Sequence, residues 1–203
     1  ADSRALFSRL PELLLLDLRG NRLGIAPDVH TMPSLQYINL DNTGITTLPD
    51  RVLDHPRLIT GRFDGNRITD IPQVFFDLDP ALSDGFSFVN NPLSPISRER
   101  VKTYYQQSGK YFGILPETAD MNRAMNLFPA LDTERAAALL YQLPGTLIDG
   151  RAQLAEWEAE VHKMHNDLAQ WTNDVPEHHP ETGQAFTMKE RIDQRLARQG
   201  FSI

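Results

Sequence analysis

Three residues in the C-terminal half of the chain carry the side-chain types of a zinc site. His162 and His165 are three positions apart on a predicted long helix, Glu158 lies one turn before His162, and two further histidines follow at 178–179. Imidazole and carboxylate groups are ordinary zinc ligands. However, the His-Glu-x-x-His spacing of helical zinc enzymes is absent. The two helical histidines also flank apolar positions, which predicts that they face solvent. We therefore predict no metal site and no cofactor.

Composition argues against several other chemistries. The chain has 203 residues and no cysteine, so it offers no disulfide, thiolate ligand or cysteine nucleophile. It has no glycine-rich phosphate loop and no serine in a nucleophile-elbow context. A net charge of −7 argues against nucleic-acid binding, and no apolar run approaches the length of a membrane span. The sequence predicts no catalytic residue, so we do not expect this chain to be an enzyme by itself.

A sequence motif with a characteristic asparagine recurs through the first half of the chain, and we call it the asparagine phrase. It reads Leu-x-x-Leu-x-Leu-x-x-Asn-x-Leu and returns, with substitutions, so that its asparagine position falls at Asn21, Thr43, Asn66 and Asn91. This period of 22 to 25 residues is typical of leucine-rich repeats. We therefore predict an α/β leucine-rich-repeat solenoid over residues 1–93, with short parallel strands and an irregular convex side. It would contain about four repeats, plus a partial one suggested by residues 6–11. That partial repeat also leads us to expect a fragment of a longer protein.

Each phrase predicts a short strand followed by a buried turn. Apolar and polar residues alternate, which places one strand face in the core. The asparagine amide both donates and accepts hydrogen bonds, so it can satisfy backbone groups of its own and the adjacent repeat. A buried backbone group without a partner would cost roughly 1–3 kcal/mol. Thr43 can meet only part of this demand, and we predict that the second repeat is weaker.

The strand residues that face away from the core form columns across the predicted sheet. One column is Leu15, Tyr37, Thr60 and Gly85, and the next is Asp17, Asn39, Arg62 and Ser87. Tyrosine and arginine are enriched at binding hot spots, so we predict that this concave face binds a protein partner. The candidate residues are Asp17, Arg19, Tyr37, Asn39, Asp41, Arg62 and Asp64. The alternative is that these are solvated strand residues whose charges pair between repeats, Arg62 with Asp41 or Asp64.

The remainder of the chain is predicted to be helical. Ser94 and Pro95 can start a helix that Gly109 ends, so residues 94–114 form a capping helix for the repeats. Residues 115–203 form an acidic helical domain or linker, in which Thr146 and Asp149 resemble a capping box. A heptad seam on one long helix needs a partner helix, and we favour packing within the chain over a second copy. Its residues are Leu154, Trp157, Val161, Met164, Leu168 and Trp171.

Several stretches together resemble one protein family. They are Leu-x-Leu-Arg-Gly-Asn-Arg-Leu at 16–23, Asn-Asn-Pro-Leu-Ser-Pro at 90–95, Tyr-Phe-Gly-Ile at 111–114 and Leu-Pro-Gly-Thr-Leu-x-x-Gly-Arg-Ala-x-Leu at 143–154. They look like the repeat-plus-helical region of large pseudomonad-type effectors or toxins, which often carry a NEL-type E3 ubiquitin ligase domain. The resemblance implies secretion by bacteria into a host cytoplasm, with repeats that bind substrates or restrain the ligase. The ligase nucleophile is a cysteine, so no catalytic residue carries over to this chain.

Three hypotheses follow for the function. The first is a protein-recognition module of a bacterial effector, expected to be a monomer that binds partners through the concave face. The second is a structural spacer or autoinhibitory scaffold that contacts the flanking domains of its parent. The third, the weakest because cysteine is absent, is a piece of a ubiquitin ligase with activity of its own.

Overall fold

The computed structural model describes residues 10–173 and 175–201. Most of the predicted partial repeat at 6–11 therefore lies outside the described residues. Within them, four short strands form one parallel sheet in the order β1, β2, β3, β4. The strands are β1 (Leu15–Asp17), β2 (Tyr37–Asn39), β3 (Thr60–Arg62) and β4 (Phe86–Ser87). Two 3-10 turns, Val29–Thr31 and Val52–Asp54, lie on the return segments between the first three strands.

Seven α-helices occur among the described residues. Two short ones, α1 and α2, precede β4, and five longer ones, α3 to α7, follow it. Their bounds are α1 Gln73–Phe76, α2 Pro80–Ser83, α3 Pro95–Ser108, α4 Thr118–Leu127, α5 Thr133–Gln142, α6 Leu147–Trp171 and α7 Met188–Arg198. None of these helices combines the length and apolar character needed to cross a bilayer.

The predicted fold class is wrong. Strand accounts for only 7% of the structure and helix for 44%, which makes this an α/β fold rather than a strand-rich leucine-rich-repeat solenoid. The physical reason is that each phrase forms a strand of two or three residues. Such a small sheet presents little apolar surface of its own. The core consequently extends from Leu16 on β1 without interruption to Leu154 on α6.

Asn66 and Asn91 connect adjacent turns through their side chains. Asn66 donates from Nδ2 to the carbonyl oxygens of Leu40 (2.8 Å) and Phe63 (3.0 Å). Its Oδ1 accepts from the backbone N–H groups of Thr43 (2.9 Å) and Gly44 (2.9 Å). Thr43 in turn donates its hydroxyl to the Leu40 carbonyl at 2.7 Å. The buried backbone in this turn is therefore satisfied from the next turn along the chain.

Helix α3 closes the end of the sheet as its sequence predicts. Ser94 Oγ accepts the backbone N–H of Ser97, Pro95 is the first helical residue, and Gly109 ends the helix in the left-handed region at a φ of 72°. Tyr104 is buried and stacks on Phe112 with ring centroids 5.1 Å apart. The cap thus covers the last strand with aromatic rings, a common way to bury a large apolar area.

Helix α6 begins with the predicted capping box, in which Thr146 and Asp149 bond reciprocally. Its predicted seam packs within the chain only at the two ends. Trp157 meets Phe128 edge to face at 5.6 Å, and Trp171 lies 5.4 Å from the guanidinium of Arg195 on α7. The middle of the seam stays uncovered, since Val161 is 37% and Met164 58% exposed.

Candidate functional site

The histidine and carboxylate residues of α6 lie beside an arginine. His162 and His165 line a shallow groove between α4 and α6 together with Arg123 and Glu158. Both Glu158 carboxylate oxygens accept from Arg123, at 2.8 and 3.0 Å. This hydrogen bonding lowers the pKa of Glu158 and raises that of Arg123. The carboxylate is therefore committed to an ion pair. Among the described residues no group of three or more His, Asp or Glu side chains could hold a metal ion.

The predicted binding residues lie together on the side of the sheet that faces away from the core. We call this side the outer face, and its strand register places Leu15 beside Tyr37 and Tyr37 beside Thr60. The next column runs from Asp17 across to Ser87. These two columns match those predicted from the sequence, because parallel pairing of equivalent positions keeps each column in line. The second column consists of Asp17, Asn39, Arg62 and Ser87.

A charged cluster occupies the centre of the outer face. Arg62 donates from Nε to Asp41 Oδ2 and from an Nη nitrogen to Asp64 Oδ2, both at 2.9 Å. The hydrogen bond that Arg62 donates to Asp41 is the main reason that the pKa of Arg62 is raised. Both pairings of the alternative interpretation therefore form. The two bonds use two of the five guanidinium N–H groups, and the Arg62 side chain remains 46% exposed.

The two aspartates also hold the backbone of the following strand. Asp41 Oδ1 accepts the N–H of Asp64 at 2.8 Å. Asp64 Oδ1 accepts the Ser87 hydroxyl at 2.6 Å and the Val89 N–H at 2.8 Å. Charge-assisted bonds of this kind are stronger than neutral ones, so the cluster is fixed to the sheet. Arg62 is consequently presented in one orientation.

The other predicted residues differ in how accessible they are. Asn39 is buried, 2% exposed, and bonds its own turn by accepting the N–H of Asp41 at 2.9 Å. Its amide also donates to the Tyr37 hydroxyl at 3.3 Å, and Tyr37 is half-buried. Asp17 and Arg19 pair at 3.3 Å near the sheet edge, with the arginine 69% exposed. Asp17, Arg19 and Arg62 are therefore the exposed members of the predicted set, and Tyr37 is partly accessible.

Four exposed apolar residues border the outer face where the strands begin, and the sequence prediction missed all but one of them. Leu14 O accepts the backbone N–H of Tyr37 at 3.1 Å, and a Cβ at Gly85 would approach Ile59 O to 2.2 Å and Leu82 O to 3.3 Å. The four residues are Leu14, 54% exposed, Leu15, 56%, Ile59, 61%, and Leu82, 53%. Exposed apolar side chains grouped near one edge of a sheet are a feature of interaction surfaces. The available signal was that large apolar residues stand just before the strands, at positions that the core pattern does not require.

Beyond β4 the outer face adjoins a cleft between the end of the sheet, the connector at 113–118 and α4. Its volume is about 450 Å³. Its lining includes Val89 from the outer face, Gly113 from the connector and Met121 from α4. A Cβ at Gly113 would lie 2.7 Å from Val89 Cγ2. Only glycine lets the connector approach the sheet this closely, and its φ of 72° also requires the left-handed region.

Comparison with known proteins adds no assignment to this geometry. No protein-family model matches the chain, and no curated protein matches it.

Proposed function

We propose that this chain is a protein-recognition module that binds a protein partner through the outer face. The observation that carries the proposal is the position of exposed Leu15 beside half-buried Tyr37, on the same face as Arg62, which two carboxylates hold in place. Specific interfaces combine an apolar centre with fixed polar groups. Tyrosine and arginine anchors supply much of their binding energy.

The arrangement supports binding more than it supports catalysis. The charged groups of the outer face are joined to each other and to the backbone, as Asp64 is to Val89. Such groups have little freedom to transfer protons, but they lose little entropy when a partner arrives. The chain also has no cysteine. We therefore propose a non-enzymatic role, and a ubiquitin-discharge assay of this chain should give no transfer.

The test compares two exposed apolar residues in different parts of the protein. Leu15→Glu places a charge on the outer face, and Ile148→Glu places the same charge on the first turn of α6, where Ile148 is 71% exposed. Proteins captured by the wild-type chain are quantified by mass spectrometry for each variant. We expect specific partners to be lost with Leu15→Glu and with Tyr37→Ala, and kept with Ile148→Glu. Equal capture by all three variants would refute the proposal.

The biological context in this proposal comes from the sequence resemblance. We propose that the chain acts within a larger bacterial effector or toxin of the NEL-type ubiquitin ligase family, secreted towards a host cytoplasm. What supports this is the set of motifs at 16–23, 90–95, 111–114 and 143–154. Infection with a strain that produces a tagged parent protein would test it, since the tag should reach the host cytosol.

One observation favours the scaffold as a second candidate function. The uncovered middle of the α6 seam, Val161 and Met164, offers a place for another segment of a parent protein to pack. Light scattering of the chain with and without the parent's next segment measures this directly. A complex that survives Leu15→Glu but is lost with Met164→Glu would favour the scaffold.

A further inference from the structure

We propose that the cleft beside β4 receives one neutral, apolar side chain of the protein that binds the outer face. The inference rests on the proposed function and adds to it the kind of residue that the partner must present. Three features of the cleft support it: its walls, its charge and its connection to the outer face.

The floor of the cleft is apolar and deformable, and neutral asparagine and threonine side chains also line the cleft. Phe88, Ile114 and Met121 are buried at its floor, while Met125 is half-buried and Leu115 is 40% exposed at its rim. Methionine side chains are unbranched and polarizable, so they adapt to ligands of different shape. A cavity of about 450 Å³ has room for a leucine, methionine or phenylalanine side chain.

The charges at the cleft cancel. Arg98 and Glu117 are its charged lining residues, and their side chains approach to 3.7 Å. Glu117 is also 3.2 Å from Arg151, which in turn pairs with Asp120 at 2.9 Å. These two arginines and two carboxylates therefore pair with one another, and their charges sum to zero. A charged ligand side chain would lose its hydration without gaining a free counter-charge, so a neutral side chain is favoured.

The cleft lies next to the outer face. Val89 lines the cleft, and its N–H is held by Asp64, which also binds Arg62. Tyr37 on β2 and Val89 after β4 are separated by two strand spacings, about 10 Å, across the sheet and by about 13 Å, or four residues, along the strands, which is roughly 16 Å in all. An extended peptide covers that distance in about five residues. A partner segment that crosses the sheet diagonally can therefore contact Tyr37 and place an apolar side chain in the cleft about five residues away.

The experiment uses a matched pair of tryptophan variants on α4. Asn122 lines the cleft and Asn126, one turn later, does not; both are exposed, so neither change should disturb the fold. The probe is a phage-displayed library of random peptides selected on the wild-type chain. Affinities of the enriched peptides are then measured by fluorescence anisotropy for the wild type, Asn122→Trp, Asn126→Trp and Tyr37→Ala.

We expect the enriched peptides to share one leucine, methionine or phenylalanine. Asn122→Trp should weaken their binding at least about tenfold, and Asn126→Trp should leave it unchanged. Replacing the shared residue of the peptide by alanine should weaken binding to the wild type as much as Asn122→Trp does. The same peptide change should not weaken binding to the Asn122→Trp variant any further.

Equal binding to Asn122→Trp, together with loss on Tyr37→Ala, would overturn this inference and leave the proposed function intact. Binding that depends on Asn122 but not on Tyr37 would overturn the link between cleft and outer face. Failure to enrich any peptide would count against both proposals.

Discussion

Replacing Asn66 by alanine should destabilise the sheet far more than the same change at Asn21. Asn66 is buried and bonds five backbone groups. Asn21 is exposed and donates one such bond, to Leu18 O at 2.9 Å. The two asparagines occupy the same position of the repeated phrase, so the pair separates burial and bonding from residue type.

The magnitude follows from which backbone groups lose their partner. The Leu40 carbonyl still accepts from the Thr43 hydroxyl, and the Phe63 carbonyl still accepts from Asn91 at 2.9 Å. The N–H groups of Thr43 and Gly44 lose the Asn66 acceptor. An unpaired buried donor costs about 1–3 kcal/mol, and the part-buried Gly44 N–H costs less because water can reach it, so Asn66→Ala should cost about 2–4 kcal/mol in all. Asn21→Ala should cost about 1 kcal/mol or less.

Urea unfolding followed by circular dichroism gives the free energy of unfolding for the wild type and both variants. Tryptophan fluorescence is the second probe, because both tryptophans lie on α6, far along the chain from the sheet. Coincident transitions would show that the sheet and the helices unfold together. Similar losses at the two positions, or a loss below about 1 kcal/mol for Asn66→Ala, would refute the bonding account.

Three further predictions concern the helices. Burial lowers the pKa of Lys102, whose ammonium donates to Thr146 O at 3.2 Å. Because the unfolded chain then binds more protons than the folded one, the free energy of unfolding should rise as the pH rises towards 10.5. Lys102→Met should flatten this rise, which the urea midpoints at each pH measure. Burial raises the pKa of Tyr141, whose hydroxyl donates to Ile114 O, so stability should fall as the pH rises above 10. Tyr141→Phe should remove this fall and cost about 1–2 kcal/mol below pH 10, measured by the same titration. Arg123→Gln should lower the free energy of unfolding by about 1 kcal/mol or less, measured by thermal unfolding, because its partner Glu158 is partly exposed. A larger loss would mean that solvent screens this ion pair poorly.

The sequence predicts local structure well because the signals are local. Ser94 and Gly109 bound α3, and Thr146 begins α6, since a cap depends on a few adjacent residues. Column register is also predictable, because equivalent positions of a repeat pair with one another. Burial by elements distant in the chain is not predictable in this way: Met164 belongs to the predicted seam, yet no helix covers it and it is 58% exposed.

The error in fold class has a different origin. A repeated phrase reports that equivalent residues recur, but not how many residues at each occurrence adopt strand geometry. Here the phrases yield two or three strand residues each. Much of the apolar burial in the C-terminal half depends on helices that pack against one another, such as those that carry Ala136 and Leu154. Tertiary packing of this kind has no periodic signature at the level of the phrase.

The structure also changes which residues can test recognition. Asp41 and Asp64 were predicted to contact a partner, yet each accepts a backbone N–H from the neighbouring strand. Replacing either one would therefore weaken the sheet and reduce binding together, and the two effects could not be separated. Leu15 and Tyr37 contribute exposed surface without holding another strand's backbone through their side chains. A loss of binding at these two positions with an unchanged urea midpoint is thus the result that only a recognition surface would give.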